Sequence, residues 1–130
     1  MPTLIRNRQI VDAPSPPDAL LEPTDDPGVL AGRLANLAVV AVNFPKYGDG
    51  RGYSIARLLR ERYGYQGELR AVGAVARDLL QAMARCGFDS FQLREGEDAQ
   101  AALAAFDDFS EAYQASAAQP QPLFRRRAGQ

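Results

Sequence analysis

A chain of 130 residues has room for one domain built around a single core. Its 46% hydrophobic and 24% charged residues are ordinary for a globular protein, and a formal net charge of -1 gives no global attraction to nucleic acid or to an anionic membrane. With no histidine and a single cysteine, Cys86, one chain cannot supply the usual ligand sets for zinc, iron–sulfur clusters or haem, a histidine-based catalytic dyad, or an internal disulfide.

In chain order, Leu4 to Val11 carries short apolar runs around a polar turn at Asn7, which suits a small β-hairpin or an edge pair. The segment from Asp12 to Gly28, DAPSPPDALLEPTDDPG, is rich in Pro and Asp and reads as an irregular connection. Leu30 to Asn36 suits one or two helical turns. Leu37 to Phe44 is a near-continuous apolar run, as in a strand buried on both faces. Tyr53 to Tyr63 sets Ile55, Leu58 and Leu59 on one helical face, places Arg57 four residues before Glu61, and stops at Gly64.

Glu68 to Val72, bracketed by Gly67 and Gly73, reads as a second buried strand. Val75, Leu79, Leu80 and Met83 recur at helical spacing up to a C-capping Gly87, and Phe88 to Leu93 forms a third strand. A last helix is expected from Asp98, stacking Ala99, Ala102, Leu103, Phe106 and Tyr113. Residues 114–130, rich in Pro and Gln, read as a disordered tail that includes a solvated run of three arginines, Arg125 to Arg127. Residues 1–113 are thus one α/β domain. Its short parallel sheet consists of consecutive βα units joined by right-handed crossovers, as part of a TIM-like barrel or as a three-layer arrangement, with the N-terminal hairpin on an edge. No apolar run approaches the roughly 20 residues of a spanning helix, and the first residues lack the apolar core of a signal peptide, so a cytoplasmic location is expected.

Period-two alternation puts Arg70 on one strand face with Glu68 and Val72, and Ser90 with Phe88 and Gln92. A buried guanidinium needs a counter-charge, so either that face lines a wet cavity, or meets a partner, or Arg70 pairs with Glu68, Asp49 or Asp89. The loop Gly48 to Ser54, GDGRGYS, lets the backbone approach a ligand and adds the forked donor of Arg51. Open α/β sheets bind ligands at the strand C-termini. An anion-binding site is therefore expected from Arg51, Ser54, Arg70, Asp49 and Asn43. The same loop also reads as a plain turn in which Asp49 and Ser54 cap the backbone, because it matches neither the phosphate-binding nor the dinucleotide fingerprint. Cys86 beside Gly87 reads as a small buried hydrophobe. No metal site is expected and no cofactor is evident.

The stretches FPKYGDGRGYSIARLLRERYGYQGELRAVG, from Phe44 to Gly73, and RCGFDSFQL, from Arg85 to Leu93, resemble a bacterial family of unknown function (domain of unknown function 934), with a weaker likeness in LIRNRQIVDA. The family is described as an oxidoreductase of sulfite reduction. The resemblance implies a place in sulfur assimilation through association with sulfite reductase. The family pattern carries an acidic residue where this chain has Ala74 and Gln where it has Leu79, so a reaction relying on those groups is in doubt here. Two functions follow: a non-catalytic accessory protein of assimilatory sulfite reduction, binding sulfite reductase or a small oxyanion, or a small oxidoreductase of the same pathway that takes electrons from a bound cofactor or partner. A sheet of three βα units leaves an unpaired edge, from which a homodimer is expected, with Arg70 facing acidic groups of the other copy; the alternative is that the Pro-rich segment from Asp12 to Gly28 wraps that edge and leaves a monomer.

Overall fold

The structure, a computed structural model, describes residues 3–7, 9–12 and 14–104. Strands β1 (Thr3–Arg6) and β2 (Gln9–Asp12) form the expected hairpin, turning at Asn7, which takes a positive φ of 53° that Asn tolerates better than most residues. Strands β3 (Ala19–Leu21), β4 (Val39–Phe44), β5 (Glu68–Gly73) and β6 (Ser90–Leu93) complete a six-stranded sheet in the order β2-β1-β6-β5-β4-β3. β3 to β6 are mutually parallel, and β1 joins antiparallel to β6. Consecutive βα units are thus neighbours, and the hairpin occupies one edge.

Helix α1 (Arg51–Arg57) connects β4 to β5 and continues through a wider π turn, Leu58–Arg62. It starts earlier than its apolar periodicity suggests because the Asp49 carboxylate accepts the Arg51 backbone N–H at 3.1 Å. The π turn ends with Tyr63 N–H donating to the Leu58 carbonyl, and Gly64 then takes a φ of 66°. Helix α2 (Leu80–Cys86) follows a 3-10 turn at Arg77–Leu79 and closes at Gly87, whose φ of 117° is the expected left-handed cap. Residues 99–104 begin helix α3, where Asp98 Oδ1 accepts the backbone N–H groups of Gln100 and Ala101. Phe106, Tyr113 and the expected disordered tail lie outside the described residues. Among the described residues no helix is long and apolar enough to cross a membrane.

The strands have two chemically different faces. Ile5, Val40, Val42, Phe44, Leu69, Ala71 and Phe91 share one apolar core with Ile55, Leu59, Leu80 and Met83 of the helical layer. Side chains of opposite parity include Leu4, Ala41, Arg70 and Ser90, all buried yet outside that core. Their cover is the segment read from sequence as an irregular connection, and the structure corrects that reading at one point. Ala19–Leu21 is a strand in register with Val40 to Val42, so the segment itself supplies the edge of the sheet beyond β4. Residues 14–18 form a strap over the polar face, with the Ser15 carbonyl 2.6 Å from Arg70 Nη1. The Asp18 carboxylate ties the strap's far end to the Ala38 and Val39 N–H groups at 2.8 and 3.0 Å.

Geometry leaves this strap little slack. β2 and β3 are opposite edges and Asp12 is level with Phe44 while Ala19 is level with Val40, so on a flat sheet the chain between them would cross about 27 Å, a path that the twist of the sheet shortens. From Asp12 to Ala19 it has a reach of roughly 25 Å when fully extended. Pro14, Pro16 and Pro17 restrict the backbone to extended conformations and lower the entropy lost in pulling it straight. Deleting Pro17 should therefore lower the denaturation midpoint much more than inserting one Gly at the same point, and equal effects of the two changes would show that the strap is slack.

Candidate functional site

The five residues expected to hold an anion do not converge on one point. Arg51 is exposed and already forked onto Asp49, with Nε to Oδ1 at 3.1 Å and Nη2 to Oδ2 at 2.8 Å. This bidentate contact, led by the side-chain hydrogen bond, holds the Asp49 carboxyl below its ordinary pKa. Asn43, at the end of β4, donates Nδ2 to Glu22 Oε1 at 2.8 Å. Ser54 faces the groove between α1 and α2, where it lies with Arg57 and Arg85. The loop is thus a capped turn with an internal ion pair.

Arg70 lies on the other face of the sheet and is only 1% exposed. The sequence left open a wet cavity, a partner, or an ion pair with Glu68, Asp49 or Asp89; the structure selects Glu68. Glu68 Oε2 accepts Arg70 Nη2 at 3.0 Å and Nε at 3.3 Å, and also the Ser90 hydroxyl at 2.8 Å. Its other oxygen accepts Arg6 Nη1 from β1 at 3.1 Å. The expectation that Arg70 meets an acidic group of another copy is thus corrected: its counter-charge comes from its own strand, two residues back, because a period of two returns both side chains to one face. Burial pushes the Glu68 pKa up, but the hydrogen bonds from Ser90 and Arg70 and the charge of Arg70 outweigh it, and the net shift is downward. Asp89 is engaged elsewhere, accepting the Leu69 N–H at 2.7 Å and facing Arg60 at 3.5 Å.

The rim at the strand C-termini holds polar groups that sequence reasoning missed. A depression of about 400 Å³ opens beside the ends of β5 and β6, lined by Thr3, Gly73, Gln92, Arg94 and Glu97. Arg94 donates Nε to Glu97 at 2.9 Å, and its guanidinium lies 5.8 Å from the Tyr47 ring centroid. The Tyr47 hydroxyl hydrogen-bonds Asp78, and that bond is the main reason its pKa is raised. Gly73 is held at a φ of 94°, where an added Cβ would lie 2.4 Å from Asn43 Oδ1 and 2.5 Å from the Phe44 carbonyl oxygen. The available signal was positional. Tyr47, Asp78 and Arg94 each follow a parallel strand, but they lie too far apart in sequence to be read as a set. Among the described residues no three His, Cys, Asp or Glu side chains are placed to hold a metal ion.

The family described as a bacterial protein of unknown function (DUF934) matches residues 19–124. The chain belongs to this family. No curated protein and no solved structure matches it. In this DUF934 chain Ala74 and Leu79 are half-buried. Ala74 donates its backbone N–H to the Phe44 carbonyl at 2.7 Å, and Leu79 packs against the core.

Two outcomes test this geometry. Arg70→Ala should lower stability by about 1–3 kcal/mol, because Glu68 keeps Arg6 and Ser90 but loses its buried counter-charge. The double change Arg70→Met with Glu68→Leu should recover most of that loss in urea unfolding. Since the folded-state pKa of Glu68 is depressed, its contribution is present above the ordinary value of 4.5 and is lost as pH falls through the lower folded value. An acid titration of stability should therefore flatten below pH 4.5 in Glu68→Gln relative to the parent, and parallel curves would remove Glu68 from the account. Separately, Gly73→Ala should destabilise by about 1–3 kcal/mol through its left-handed φ and contact with the β4 backbone; a neutral effect in thermal unfolding would contradict that crowding.

Proposed function

We propose that this protein is a non-catalytic accessory factor of assimilatory sulfite reduction, acting in the cytoplasm by binding sulfite reductase. The observation that carries the non-catalytic part is internal satisfaction of the polar groups. Arg51 is neutralised by Asp49, Arg70 by Glu68 under the strap, and the Tyr47 hydroxyl is bound to Asp78. Arg60 is likewise held, donating to the carbonyls of Gly87, Tyr65 and Gly67 at 2.8 to 2.9 Å. Cys86, the one thiol, is buried at the end of α2. Groups so engaged hold a fold in place, whereas a nucleophile or general base has to reach a reacting atom. The link to sulfite reduction is supported by the likeness in the Asp49 to Ser54, Gly67 to Gly73 and Arg85 to Asp89 stretches, which implies association with the reductase.

A strain lacking the gene should grow poorly on sulfate as sole sulfur source and normally on cysteine. Complementation by Cys86→Ala and by Arg51→Ala should match the wild type, because neither side chain performs chemistry in this reading. Normal growth of the deletion strain on sulfate would remove the pathway. Loss of complementation by a folded Cys86→Ala protein would remove the non-catalytic role.

A further inference from the structure

The outer surface of the helical layer is charged unlike the rest of the chain. From Arg51 to Arg62 there are four arginines and one acidic residue, Glu61, and from Arg77 to Cys86 there are two arginines and one aspartate, in a protein whose net charge is -1. Two of these charges are neutralised locally, since Arg51 faces Asp49 and Arg60 faces Asp89, while Asp78 accepts a hydrogen bond from the neutral Tyr47 hydroxyl. Arg57 and Arg85 are exposed and have no ion-pair partner among the described residues. The Glu61 carboxylate, expected four residues from Arg57, forms no pair with it across the π turn.

These two guanidiniums share a groove. Gly50, Ser54 and Arg57 follow one face of α1, and Ala82, Arg85 and Cys86 follow one face of α2, enclosing about 360 Å³ with the Tyr53 ring. Ser54 and Tyr53 also line the groove, and Ala82 and Cys86 contribute the apolar part of its wall. An arginine fork matches a carboxylate in two parallel hydrogen bonds. Pockets for free small molecules are enclosed enough to bury most of the ligand, whereas this one is an open trough on the outside of a helical layer. Such a surface suits carboxylates presented by a protein chain, which arrive already tethered and drawn in by the opposite potential.

We infer that the α1–α2 groove is the docking site for an acidic segment of a partner protein, with Arg57 and Arg85 each taking a carboxylate. This deepens the accessory reading and rests on it only for the partner's identity, the reductase.

The probe is a hexaglutamate peptide added at low ionic strength to the full isotope-labelled chain, with hexaglutamine as the uncharged control. Amide shifts should centre on Ser54, Arg57, Ala82, Arg85 and Cys86. The double variant Arg57→Gln/Arg85→Gln, both positions exposed and without ion-pair partners among the described residues, should bind at least tenfold more weakly. Shifts centred on Arg33, Arg62 or Arg77, no shifts, or unchanged affinity in the double variant would each overturn the site. Sedimentation showing self-association that the double variant loses would put a second copy in the groove and overturn the assignment as well. With purified reductase, equal binding of wild type and double variant removes the groove but keeps the accessory role. Absence of any binding by wild type removes the accessory role, and the peptide map still decides the groove.

Discussion

A guanidinium buried to 1% exposure in the middle of a parallel strand is the constraint around which the rest of this fold is arranged. Moving that charge out of water is expensive enough that each of its donors needs an acceptor. The acceptors come from two directions. Glu68 lies two residues back on the same strand and supplies the counter-charge, while Ser15 reaches over from the strap and supplies a backbone carbonyl. Ser90 and Arg6 close the network from β6 and β1, so that one carboxylate ties together three strands. Buried ion pairs contribute little net stability, but breaking one is severe, and this makes the network a device for register more than for stability. A slip of one residue in β5 would send Arg70 into the apolar core.

That constraint explains the unequal faces of the sheet. The helical side is a conventional core in which Phe44 meets Tyr53 and Phe88 at ring-centroid distances of 5.4 and 5.6 Å. The other side has a layer one chain thick, whose proline content keeps it extended over a crossing that nearly exhausts its length. The polar groups of that face are consumed internally, so what remains for partners is the rim at the strand C-termini and the basic outer surface of the helices. The rim groups are also largely paired, Arg94 with Glu97 and Tyr47 with Asp78. The α1–α2 groove differs in this respect, because its two arginines are exposed and have no carboxylate partner among the described residues.

How much of this was legible depended on whether the signal was local. A near-continuous apolar run ending at Pro45 located β4, while Gly67 and Gly73 around Glu68 to Val72, and Gly87 before Phe88, located β5 and β6. Glycine positions located the ends of α1 and α2, since Gly64 and Gly87 take backbone angles that other residues resist. The three residues of β3 carried no such signal among the prolines and aspartates around them. They are a strand because β4 offers a free edge, and Leu20 on that edge remains 51% exposed. Ser54, read as part of an anion loop, instead turns toward α2, a neighbour that no spacing within the loop could reveal.

The sequence by itself determined the succession of βα units, the hairpin, the helix caps, and the need for Arg70 to find a counter-charge, because periodicity, backbone preference and desolvation act over a few residues. Only the tertiary structure decided that Glu68 is that counter-charge, that the Pro-rich segment spans the sheet from edge to edge, and that Arg57 and Arg85 line one groove. Those outcomes depend on the order in which strands pair, which sets the distance the strap must cover and the elements that become neighbours, and strand order is a property of the assembled sheet.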